Sequence, residues 1–114
     1  MRDFVSPSSV RAAMAPTRDA GGPIETRVAA YLAATNHQVT PFYELYKAGG
    51  FQGGDMRGRT FVAARLAAGA AELRDEAAAA WRASADVAVG RPAVKAADVE
   101  AGKLDPFDSL YGTD

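Results

Sequence analysis

Residues Thr60 to Val89 carry the longest periodic pattern in the chain, and the remaining segments have to be arranged around it. At about 100° per residue, Val62, Leu66, Gly69, Leu73, Ala77, Ala80, Ser84 and Val87 fall within one narrow sector. Arg65, Glu72, Asp75, Glu76, Arg82 and Asp86 take the other side. Alanine, the residue with the highest helix propensity, fills most of the remaining positions. The spacing predicts a single helix from Thr60, acting as its cap, to about Asp86. At 1.5 Å rise per residue it would be roughly 40 Å long. Trp81 lies at the edge of the apolar sector, one turn after Ala77.

A helix of that length needs neighbours to bury its stripe, and the chain is short of bulky groups to do so. Leu, Ile, Val and Phe number 21 among 114 residues, and alanine makes up nearly half of the hydrophobic fraction of 48%. A low count of large aliphatics signals disorder only alongside a high net charge, and the net charge is −1. A folded domain is therefore expected, and the length suits one. Either its helices approach closely through Ala and Gly, or a partner completes the core.

The breakers divide the rest. Ser6-Pro7 reads as an N-cap followed by the first helical residue, opening a short helix that ends before Pro16. Ala15 to Gly22 has the composition of a linker. Gly22-Pro23 opens a second helix whose apolar face is Ile24, Val28, Tyr31 and Thr35, with Leu32 beside it. Asn36-His37-Gln38 ends it, and Thr40-Pro41 starts an aromatic helix to about Ala48 carrying Phe42, Tyr43 and Tyr46. A glycine-rich loop spans residues 49–59. Pro92 to Ala101 reads as one more helix stopped by Gly102, and Asp105-Pro106 caps a last turn. No repeat and no convincing strand pair is visible. The expected fold is all-α, a small single-domain bundle of four or five helices. An arm (residues 1–22) precedes a helical domain (23–104), and an acidic-aromatic tail (105–114) follows. The long helix and the aromatic helix should both pack against residues 24–35.

Several function classes are disfavoured at once. With no cysteine, a disulfide framework, a thiolate metal site and cysteine catalysis are excluded; the composition fits a reducing compartment, and the cytoplasm is the expectation. No apolar run is long enough for a membrane span. The first residues lack the apolar stretch of a secretory signal. His37 is the sole histidine, so a carboxylate-bridged metal bundle with Glu-x-x-His pairs cannot be assembled from one chain. Glu72, Asp75 and Glu76 read as a solvated acidic face. No catalytic residue, metal or cofactor is assigned.

Two groups of residues remain as candidate sites. The string Gly53-Gly54-Asp55-Met56-Arg57-Gly58-Arg59-Thr60 has the spacing of a phosphate-cradling loop, with Arg59 where that motif has Lys. A nucleotide-hydrolysing loop follows a buried parallel strand, whereas a helix and a Gly-Gly break come before this one. A simpler anion site of Arg57, Arg59 and the free N–H groups near Thr60 fits better. The competing reading is a connector whose glycines supply positive φ. A helix-turn-helix drawn over residues 27–48 would present aromatics where base reading needs Arg, Asn or Gln.

The second group is apolar. Leu73 and Trp81 on the long helix are candidate partner-binding residues, since Trp is enriched at binding hot spots; the alternative places Trp81 in the core. Phe107, Leu110 and Tyr111 share a face at the spacing of groove-binding helices. Together these signals favour a non-catalytic interaction or assembly subunit, binding another protein or a copy of itself. The alternative is a nucleic-acid-binding protein touching phosphates through Arg57 and Arg59.

Overall fold

The structure is a computed structural model and describes residues 4–19, 21–89, 93–105 and 107. The fold is all-α. Five α-helices follow one another: α1 (Pro7–Ala13), α2 (Ile24–Asn36), α3 (Val39–Lys47), α4 (Met56–Ala83) and α5 (Ala96–Glu100). A 3-10 turn (Ser84–Asp86) extends α4. A minimal antiparallel pair, β1 (Ala88–Val89) with β2 (Val94–Lys95), precedes α5, where the sequence had shown no convincing strand pair. Among the described residues, no helix is long and apolar enough to cross a membrane.

The chain divides into two compact units, Met1–Glu76 and Ala77–Asp114, and α4 contributes to each. In the first unit, α1 begins as its residues dictate. The Ser6 hydroxyl accepts from the Ser9 N–H at 3.2 Å, with Pro7 at the first helical position. Val10 and Met14 turn inward while the other α1 side chains stay exposed. Only His37 and Gln38 separate α2 from α3, which starts at Val39 instead of Pro41. Pro41 is tolerated in the first turn, where the N–H it lacks has no intrahelical partner in any case.

The long helix departs from the predicted one at its start and in its buried face. It starts four residues before Thr60, at Met56, because Asp55 is the better cap. The Asp55 carbonyl accepts from Arg59 N–H at 3.2 Å and its carboxylate from Arg57 N–H at 2.9 Å. The residues it buries are Gly58, Ala63, Ala67 and Ala71, not the stripe that contains Leu66 and Leu73. Small side chains repeated every fourth residue let neighbouring segments approach closely, because the distance between helices is set by the side chains at their contact. Gly58 marks the tightest approach. A Cβ there would overlap the Gly50 carbonyl oxygen and lie 2.9 Å from Phe51 Cδ1.

The aromatic helix α3, expected against residues 24–35, makes its ring contacts through Phe42 with Phe51 and with α4. The Phe42 ring lies 5.3 Å from Phe51 and 6.0 Å from Phe61 of α4, and Phe51 meets Phe61 edge-on at 6.0 Å. By contrast α2 leaves Ile24, Val28 and Leu32 exposed and meets α4 through Arg27 and Tyr31.

In the second unit Val94 is the buried apolar residue. Ala96 N–H donates to the Val87 carbonyl at 3.2 Å, tying α5 to the segment after α4. The end of α5 follows its sequence signal. Gly102 adopts φ +71, its N–H reaches Val99 O at 3.0 Å, and Lys103 N–H reaches Asp98 O at 2.9 Å, the two bonds of a Schellman cap.

Candidate functional site

The glycine-rich loop was the strongest motif in the sequence, and its geometry is that of a tight connector. Gly53 and Gly54 take φ of +59 and +73, which a side chain would resist. Asp55 then fills the position an anion would need. Its carboxylate caps the first turn of α4 and chelates Arg57, with Nε donating at 3.1 Å and Nη2 at 2.9 Å. Arg57 Nη2 also donates to the Ala48 carbonyl at 3.4 Å. Arg59 points elsewhere: its guanidinium carbon is 5.8 Å from the centre of the Phe4 ring. Arg57 and Arg59, paired in the sequence reading, therefore have separate surroundings, and Thr60 lies beside Arg59 in a cleft facing the N-terminal arm.

The acidic side of α4 also differs from its predicted character. Arg27 grips Glu76 with two hydrogen bonds of 2.8 Å and donates a third to the Gly22 carbonyl, joining the α2 entrance to α4. Both side chains of this pair are only 18% exposed. Asp75 accepts from Arg74 Nε at 2.9 Å. Two of the three acids expected to be solvated are thus ion-paired and half-buried. For Glu76 the reason is that Arg27 comes from 49 residues away, which no helical spacing can reveal. The third, Glu72, has Oε1 buried without a hydrogen-bond partner among the described residues. Also among the described residues, no three His, Cys, Asp or Glu side chains gather to hold a metal ion.

The apolar candidates lie at the surface. Leu73 is 73% exposed and, with exposed Leu66 seven residues earlier and Ala70 between, forms an open stripe on α4 in the first unit. In the second unit Trp81 is 66% exposed, so it is not a core residue. Phe107 is exposed as well, and its N–H donates to the Asp105 carboxylate at 2.8 Å. Leu110 and Tyr111 lie outside the described residues. On α3, Tyr43 and Tyr46 remain open around Phe42. Among the described residues no large side chain is fully buried.

No known family, characterised protein or solved structure matches this chain. Sequence reading missed Asp55 as the cap, although an aspartate directly before a helical pattern is a recognised start signal. It passed over Met56, Ala63 and Ala64, which line the cleft at the arm, because only the fold of residues 4–13 against α4 gives them a shared role.

The ion pairs set a pH response. Bonding to Arg27 holds the Glu76 carboxyl below its ordinary range, Arg74 does the same for Asp75, and Arg57 for Asp55. A carboxyl with a depressed folded-state pKa contributes its stability fully above the unfolded value and loses it as pH falls through the folded value. The melting temperature should stay level from neutral pH down to about 5 and then drop as these acids protonate. Arg27→Met should reduce that acid-side slope. Thermal melts of both proteins across this range would refute the assignment if their slopes coincide.

Proposed function

We propose that this chain is a non-catalytic assembly subunit, acting as an adaptor, accessory subunit or surface-masking protein. It works by docking apolar helical surface onto another protein or a second copy of itself. The observation that supports this reading is the inversion of burial along α4: alanines 63, 67 and 71 face inward while Leu66 and Leu73 face out. Burying one exposed leucine is worth about 1.5–3 kcal/mol, so leaving such groups in water forgoes energy that matters against a net stability of about 5–15 kcal/mol. Isolated exposed leucines are ordinary. Two of them one heptad apart with an alanine between form a seam, which is how one helix receives another. Trp81, exposed in the second unit, adds a residue type enriched among binding hot spots.

The nucleic-acid alternative finds less support. Arg57 already satisfies Asp55, and the net charge of −1 gives no general attraction to phosphate.

Light scattering on the purified protein, with affinity capture from its native host, tests the proposal. Wild-type protein should self-associate or retain a stoichiometric partner in high salt. Leu73→Glu and Trp81→Ser should abolish that association while leaving helicity intact, since surface substitutions usually shift stability by about 0.5 kcal/mol or less. A wild-type protein that stays monomeric and companionless, or an association that both variants keep, would sink it. Binding to DNA or RNA that weakens steeply with salt would favour the alternative.

A further inference from the structure

We propose that the cleft between the N-terminal arm with α1 and the first half of α4 binds an aliphatic monocarboxylate, held by Arg59. The cleft has a volume of about 580 Å³, within the usual range of small-molecule sites. Phe4, Val5, Ala12, Met56 and Ala63 supply most of its wall, and Arg59 is the one charged lining residue among the described residues. The serines on its rim are occupied locally: Ser6 Oγ accepts from the Ser9 N–H at 3.2 Å, and Ser9 Oγ donates to the Ser6 carbonyl at 2.8 Å.

Arg59 is the unsatisfied group. Its Nε is buried with no hydrogen-bond partner among the described residues, and no carboxylate there pairs with it. A buried donor without an acceptor is costly, so an anion entering the cleft would relieve it. Arg57, two residues away, already has its carboxylate in Asp55.

The charge count selects the ligand. One guanidinium balances one carboxylate and grips it with paired N–H donors, whereas a phosphate dianion would remain undercompensated. The apolar wall then favours a hydrocarbon chain over a sugar or a nucleotide. Phe4 stacked over Arg59 forms the side of the cleft where headgroup and chain would meet. This inference concerns the cleft alone and does not depend on the assembly surface.

Two-dimensional amide NMR on the full chain tests it, with octanoate as the probe against 1-octanol and acetate. Octanoate should bind saturably, with shifts concentrated in residues 4–13 and 56–64. Octanol and acetate should each bind at least tenfold more weakly. Arg59→Gln should lose octanoate binding at least tenfold, and Arg57→Gln should leave it unchanged. Absence of saturation, shifts centred elsewhere, or equal affinity for octanol would overturn the proposal. So would a folded Arg59→Gln protein that binds as well as wild type. If Arg59→Gln disturbs the arm, the octanoate-to-octanol ratio on the wild-type protein decides: tenfold or more supports the site, and parity overturns it.

Discussion

Gly58→Ala should lower the melting temperature by about 10 °C. The added methyl would occupy the space of the Gly50 carbonyl oxygen and press on Phe51 Cδ1 at 2.9 Å. Both the oxygen and Gly58 itself belong to the backbone, so no rotamer change clears the overlap. Either the loop at residues 49–55 or the first turn of α4 has to move. Overpacking typically costs about 1–3 kcal/mol, and a clash against backbone belongs at the upper end. Alanine's helix propensity returns at most about 1 kcal/mol. The clash wins. Gly69→Ala provides the control on the same helix: its methyl would meet only the Tyr31 hydroxyl, at 3.4 Å. There the propensity term should prevail and the protein should be unchanged or slightly more stable. Circular dichroism melts of the two variants settle the matter, and equal shifts for both would show that close approach at Gly58 does not hold the fold.

Phe42→Ala should be comparably damaging, by about 2–3 kcal/mol or roughly 10 °C. Truncating a fully buried Phe costs about 3–5 kcal/mol. Phe42 is 39% exposed, so the effect is scaled down. It remains large because this ring joins α3 to both Phe51 and Phe61 at 5.3 and 6.0 Å. Its neighbours Tyr43 and Tyr46 lie on the same helix, and those contacts do little to hold α3 in place. Phe42→Leu should keep most of the stability, since a leucine still fills part of the space. Thermal melts together with near-ultraviolet dichroism would check this. A shift under about 2 °C for the alanine variant would mean the ring cluster contributes nothing to tertiary stability.

The two variants also bear on how such a thin core holds together. Among the described residues, its buried apolar members are Ala63, Ala67, Ala71 and Val94, none of them large. Close backbone approach at Gly58, ring contacts at Phe42 and the Arg27–Glu76 clamp take the place that interdigitated leucines fill in a richer domain.

What the amino-acid sequence determined by itself was local. Ser6 with Pro7 started α1, Gly102 ended α5, and the run of alanines made α4 helical, because caps, breakers and propensities act over a few residues. The scarcity of bulky groups was equally visible there. Which face of α4 turned inward was decided only by the tertiary structure. The Leu66–Leu73 stripe and the Ala63–Ala67–Ala71 stripe lie on one helix, and hydrophobicity alone favours the leucines. The arm, α1 and α2 reversed that order: Arg27 found Glu76 across 49 residues, and small side chains let the neighbouring segments come close. The same folding gave Arg57 and Arg59, two positions apart in the chain, different partners, because the Asp55 cap holds Arg57 while Arg59 reaches Phe4.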